Sequence, residues 1–204
     1  MKNTVIPAIV GAIVLFFLTA CATTQFTGVW LDENYHGGPI KSIMIVGVAE
    51  NQRNRNIFES AMVKAFTAQG VRAIPSLETL GDKVISKETV VTAAKESDVQ
   101  AVLITRLVGV NEEQVYYPPE VYTVPDPYYY RWDTYYPHMY EFVENPGYVQ
   151  TYKYVNLETN IFDRDERQLI WSAASETFNP QDANKVVDDL AKLLIKELKR
   201  SKLI

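Results

Sequence analysis

One cysteine, Cys21, and two histidines, His36 and His138, are all that this 204-residue chain offers to thiolate, metal or imidazole chemistry. A lone cysteine makes no internal disulfide and no zinc or iron–sulfur centre, and two histidines leave little for metal binding or proton transfer. Basic residues are in deficit too, 20 Lys and Arg against 25 Asp and Glu, for a formal net charge of −5. That balance has no surplus for neutralising phosphates, so nucleic acid is not an expected partner. The remaining composition, 47% hydrophobic with 22% charged, is that of a folded globular chain.

What is present begins at the N-terminus. Met1-Lys2-Asn3 is a short positive start, and Val5 to Leu18 is an uncharged, mostly apolar run too short for a typical bilayer span, which reads as a signal peptide over residues 1–20. The run ends in Leu18-Thr19-Ala20-Cys21, which resembles a bacterial lipobox: a branched residue, two small residues, then the cysteine that receives the lipid. The only cysteine of the chain stands where that chemistry needs it. Cleavage before Cys21 leaves a mature chain of 184 residues with a formal side-chain charge of −6. The two or three acyl chains of a bacterial lipoprotein hold a protein stably at a membrane, where a single chain does so only marginally. Ala22 occupies the position where aspartate would resemble an inner-membrane retention signal. For a Gram-negative host this points to the periplasmic face of the outer membrane.

Residues 21–38 are polar, lack a sustained period and contain Gly37-Gly38, so they read as a lipidated tether; Trp30 is the exception, an aromatic that a docking contact would explain. Residues 39–204 read as a single α/β domain. Ile40 to Ala49 is a β-branched apolar run of central-strand character. Asn54 to Gln69 sets Phe58, Ala61, Met62, Ala65 and Phe66 on one helical face before Gly70. A strand at Val71 to Pro75, a helix at Lys87 to Ser97 with Ser86 as N-cap and a strand at Gln100 to Val110 follow. This strand-helix order implies parallel pairing with right-handed crossovers. Val149 to Phe162 alternates, with Val155, Leu157, Thr159 and Ile161 on one face. Gln168 to Phe178 returns as its antiparallel partner, and Trp171 falls on a buried face with Leu169, Ala173 and Ser175. A final helix is expected to start with Asn179 as N-cap and Pro180 at its first position. The expected fold is therefore a mixed five-stranded sheet, β-α-β-α-β followed by an edge hairpin and a C-terminal helix, carrying an insertion at 111–148.

Several short motifs resemble those of a group of uncharacterised bacterial lipoproteins: Trp30 and Asp32 after the lipobox, Pro39 leading the first strand, Arg55 with Phe58 and Glu59 in a helix, and Gly70, Val71, Ala73, Pro75 and Ser76. More remotely, the element order is similar to the periplasmic α/β domains of curli-secretion, Pel-export and peptidoglycan-synthase-activator lipoproteins. This resemblance implies assembly into rings or contact with envelope machinery, at the level of fold alone. The tyrosine-rich insertion departs from it.

Candidate chemistry is sparse. His36-Gly37-Gly38 is similar to the oxyanion loop of some esterases, but no Gly-x-Ser-x-Gly elbow accompanies it. Asp163, Asp165 and Glu166 lack the glycine and ligand spacing of an EF-hand loop and read as a solvated hairpin tip. Arg55 and Glu59, spaced i,i+4, read as a modest surface pair. No catalytic residue, metal ligand or cofactor is expected, and the chain reads as a non-enzyme.

The insertion is the feature that asks for a function. Residues 116–154 hold twelve of the thirteen tyrosines and six of the ten prolines. Tyr116, Tyr117, Tyr122, Tyr128, Tyr129, Tyr130, Trp132, Tyr135, Tyr136 and Tyr140 join large apolar rings to polar tips, which suits a wet protein interface or stacking on a sugar ring. The prolines oppose a regular helix and lower the entropy lost on ordering. The rings form a partner surface, a self-packed loop or a saccharide groove. The expectation is a lipid-anchored interaction or scaffold module of the cell envelope, whose partner is an envelope protein or a second copy. The alternative is a carbohydrate-binding module for peptidoglycan or exported polysaccharide.

Overall fold

The computed structural model describes residues 24–49, 51–81, 85–123 and 142–204, with residues 120–123 and 142–145 described by their backbone alone. Among the described residues, eight strands and four helices follow in the order β1 (Thr24–Leu31), β2 (Ser42–Val48), α1 (Gln52–Thr67), β3 (Arg72–Pro75), α2 (Ser76–Leu80), α3 (Lys87–Glu96), β4 (Ala101–Tyr117), β5 (Glu120–Thr123), β6 (Phe142–Asn145), β7 (Tyr148–Asp163), β8 (Leu169–Phe178) and α4 (Ala183–Arg200). Six of the strands form one sheet in the order β1-β8-β7-β4-β2-β3, and β5 and β6 form a separate ribbon. β2 pairs in parallel with β3 and β4, whereas β4, β7, β8 and β1 pair antiparallel in succession. The mixed α/β class is as the sequence implies, with six strands in the sheet in place of five.

From Ile43 to Val46 β2 is apolar because both of its faces are covered. Ile43 and Ile45 enter the larger core beneath α1 and α4, while Met44 and Val46 enter a smaller one beneath α2 and α3. α1 starts at Asn51, whose side chain accepts the Arg53 N–H, and its exit at Gly70 has a positive φ of 81°. α3 is held by a Ser86/Thr89 capping box, with Ser86 the expected cap. Trp171 is fully buried with Ala173 and Ser175 on the same face, as the alternation of β8 requires, and Phe26 meets its ring edge-on at 5.9 Å.

Three expectations are corrected. Thr24–Leu31 belong to the sheet, not to a tether: Thr24 lies opposite Thr177 and Leu31 opposite Trp171, and the Thr24 and Thr177 hydroxyls bond at 2.9 Å. β1 therefore takes the sheet edge, and the β7–β8 hairpin expected there is interior. The C-terminal helix begins later than Asn179, because Asn179 turns out of β8 at φ 41° with its N–H bonded to the Lys153 carbonyl, and Asp182 caps the helix through the Lys185 N–H.

The Arg55–Glu59 pair is not on the surface. Arg55 is 6% and Glu59 0% exposed. Glu59 Oε1 accepts from Arg55 Nε at 2.9 Å, Ser76 Oγ at 2.7 Å and the Gly47 N–H at 3.0 Å, and Oε2 accepts from the Leu77 N–H at 2.8 Å. Arg55 also donates to Ser76 Oγ at 2.8 Å. A Cβ on Gly47 would stand 2.9 Å from the Phe58 ring, so glycine there lets α1 approach β2 closely enough for the bond to form. This knot ties the end of β2, the start of α1 and the β3–α2 junction together. It also gives Arg55, Phe58, Glu59 and Ser76 a common structural reason to be what they are.

Candidate functional site: an aromatic arm

β4 and β7 are 17 and 16 residues long, roughly twice the length of β1 and β2. Pairing of β4 with β2 ends at Arg106 opposite Val48, and pairing of β7 with β8 ends at Tyr154 opposite Phe178. Beyond those points the two strands pair with each other alone, from Glu112 opposite Lys153 to Tyr117 opposite Tyr148. The result is a two-stranded arm rising from the end of the sheet. A register shift between Leu107 and Gly109 marks its base, where an extra residue bends a strand and strengthens its twist.

Strand alternation places Tyr117, Tyr148, Tyr152 and Tyr154 on one face, and Phe178 of β8 joins them through its pairing with Tyr154. Tyr117 stacks on Tyr148 with centroids 5.0 Å apart and planes 15° from parallel. The Tyr117 and Tyr152 hydroxyls bond at 2.9 Å, and Phe178 lies 5.2 Å from Tyr152 and 5.4 Å from Tyr154. Tyr154 donates to Glu113 Oε2 at 2.9 Å. These bonds favour the protonated phenols. Tyr152 is raised above the ordinary tyrosine value chiefly by its bond to Tyr117, and Tyr154 chiefly by its bond to Glu113. On the opposite face Lys153 pairs with Glu112 at 3.3 Å, and Tyr116 and Val149 are 62% and 58% exposed. A Cβ on Gly147 would come within 2.7 Å of the Tyr116 hydroxyl, so this position keeps the arm's end tight.

The arm divides the expected site. Tyr116 and Tyr117 lie in it, at the end of β4 that the sequence reading had stopped at Val110. Tyr122 lies in β5, known here by its backbone. Cys21 and the candidates Tyr128, Tyr129, Tyr130, Trp132, Tyr135, Tyr136 and Tyr140 lie outside the described residues. Tyr148, Tyr152, Tyr154 and Phe178 were missed as site residues, although the even spacing of the three tyrosines was a strand-face signal. Elsewhere the candidate chemistry stays unassembled. The Asp163 carboxylate accepts the Asp165 and Glu166 N–H groups at 2.8 Å, and Asp165 is held by Arg164, which lowers its titration. Among the described residues no group of three or more His, Cys, Asp or Glu could hold a metal ion, and no helix is long and apolar enough to cross a membrane.

No family model and no curated protein sequence matches the chain. Solved structures of remotely similar fold include a PelC dodecamer from Paraburkholderia phytofirmans, at TM-score 0.45 and 12% identity over 84% of this chain and 94% of that one. Lipoprotein GNA1162 from Neisseria meningitidis aligns at TM-score 0.41 and 10% identity, over 78% of this chain and 98% of that one. A PDZ domain protein from Parabacteroides distasonis aligns at 0.37 and 10%, over 86% of this chain and 34% of that one.

Proposed function

We infer that the protein is a lipid-anchored, non-enzymatic interaction module of the cell envelope, tethered through Cys21 on the periplasmic face of the outer membrane, with the aromatic arm and its insertion as contact surface. The observation that carries this reading is the tyrosine ladder itself. Rings usually buried in a core stand here outside both cores, ordered by mutual stacking and hydroxyl bonds on a ribbon that has left the sheet. Such amphipathic rings contribute contact area at low entropy cost. The other polar clusters have structural roles: Glu59 is buried in its knot, and the Asp163 carboxylate closes its own turn by accepting the Asp165 and Glu166 N–H groups.

Two measurements test the reading. Cys21→Ser should move the protein from the membrane to the soluble fraction, and persistence of the variant as an integral membrane protein would sink the lipid anchor. A photoreactive residue at Tyr116 should form adducts in native membranes that are lost when Tyr117 and Tyr148 become serine. The carbohydrate alternative draws on the flat Tyr117–Tyr148 stack. It requires the purified mature protein to cosediment with peptidoglycan or envelope glycans.

A further inference from the structure

Thr24, three residues after Cys21 in the sequence, and the arm lie at the same end of the sheet. Thr24, the first residue of β1, is level with Thr177 and, through β8, with Val155. From Val155 to the tip at Tyr148, β7 runs seven residues further, about 23 Å at ~3.3 Å each. Twist of ~20–25° per strand turns β7 by about 45° from β1, which reduces the projection along β1 to about 16 Å. Cys21 is three residues before Thr24, a reach of at most ~11 Å. With the strands upright, the arm tip therefore meets the headgroup layer before the tether is taut. Charge follows the same axis. Glu112, Glu113 and Lys153 lie near the base, whereas the last four β4–β7 pairs, Gln114–Thr151, Val115–Gln150, Tyr116–Val149 and Tyr117–Tyr148, carry no charge, and charge returns only at Glu120 and Glu144 of the β5–β6 ribbon that follows.

We propose that the uncharged distal arm rests in the headgroup layer of the bilayer that holds the Cys21 lipid, making a second membrane contact that orients the domain. This rests on the lipid-anchor reading above and names the partner of its contact surface. Tyrosine suits that layer because its ring is apolar and its hydroxyl is hydrated. Between residues 111 and 153 seven carboxylates stand against only Arg131 and Lys153, so the surface it fits is zwitterionic, not anionic, and the arm lies along the headgroups instead of crossing the hydrocarbon.

The test uses the lipidated mature protein in phosphatidylcholine vesicles. Lipidation consumes the Cys21 thiol, so Val149→Cys at the arm tip and Glu166→Cys at the opposite end of the sheet can each be labelled uniquely with an environment-sensitive fluorophore. Both sites are exposed, and equal melting temperatures of the two labelled proteins would verify their folding. A soluble iodide quencher should reach the label at 149 several-fold more slowly than the label at 166, and adding Tyr116→Ser with Tyr148→Ser should abolish the difference. Equal quenching, with the lipid present by mass spectrometry, would overturn the bilayer contact and leave the anchor standing. A protein whose mass shows no lipid would overturn both. Shielding at 149 that persists in vesicle-free Cys21→Ser protein would assign the arm a protein cover instead, and shielding that grows in phosphatidylglycerol vesicles would contradict a zwitterionic surface.

Discussion

The same two strands live in two environments. In the lower half of the sheet, Leu103 of β4 and Ile161 of β7 are fully buried beneath the helices, opposite one another. Twelve pairs further along, Tyr116 and Val149 are opposite one another and mostly exposed. Apart from the register shift between Leu107 and Gly109 the antiparallel pairing runs on between these points; what changes is the neighbourhood, because β2, β8 and the helices end and β4 and β7 do not. The body is held by burial and by the Glu59 knot. The arm is held by cross-strand rings and hydroxyls, each contributing about 0.2–1 kcal/mol. Stability should therefore be concentrated below the bulge and contact surface above it.

The most severe break should come from Trp171→Ala in the body, costing about 3–5 kcal/mol as large aromatic truncations do. Its indole N–H meets no acceptor among the described residues, so Trp171→Phe should lose packing and no hydrogen bond, and should fall well short of the alanine variant in chemical denaturation. Arg55→Ala comes next. Removing one partner of a buried ion pair costs about 3–5 kcal/mol, and the lower end applies because Gly47, Ser76 and Leu77 still donate to Glu59. A surface pair would cost less than about 1 kcal/mol, so denaturation of this one variant decides between the two descriptions.

The arm should respond differently. Replacing residues 118–147 with Asn-Gly joins Tyr117 to its cross-strand partner Tyr148 through a two-residue turn. Loop-closure entropy changes slowly with length, so the unfolding midpoint should barely move, by less than about 1 kcal/mol. Loss of cooperative unfolding would mean that the insertion belongs to the body. The smallest effect is electrostatic. Tyr152 and Tyr154 are raised above the ordinary tyrosine value near 10, so the stability they contribute is complete below that pH and is lost as pH rises through their folded values. Tyrosinate absorbance should show this late ionisation, and Tyr117→Phe should bring Tyr152 back toward the ordinary value while lowering stability by no more than about 1 kcal/mol.

Much of the body is written locally. The unbroken apolar run of β2, the helical spacing of Phe58, Met62 and Phe66, and the alternation around Trp171 each state a burial pattern that the fold then satisfies. What escaped the sequence reading depends on partners distant in the chain. Thr24–Leu31 carries a weak pattern of its own and becomes a strand because β8 offers it an edge. Arg55 and Glu59 look like a solvent-facing pair until Gly47 and Ser76 arrive from other elements to bury them. In the arm, composition announced the tyrosines, but the division between paired strand and insertion turns on the register of Tyr117 against Tyr148, which tyrosine and proline content does not encode.

Amide hydrogen exchange of the mature lipidated protein, compared between native membranes and the purified Cys21→Ser form, tests the division of labour most directly. Amides of β2, α1, the lower β4 and β8 should exchange equally slowly in both. Amides of 111–117 and 148–153 should be protected in membranes and exchange faster in the isolated protein. Equal protection of the arm in both states would contradict the account, because it would mean that the tyrosines are part of the folded body and not its contact surface.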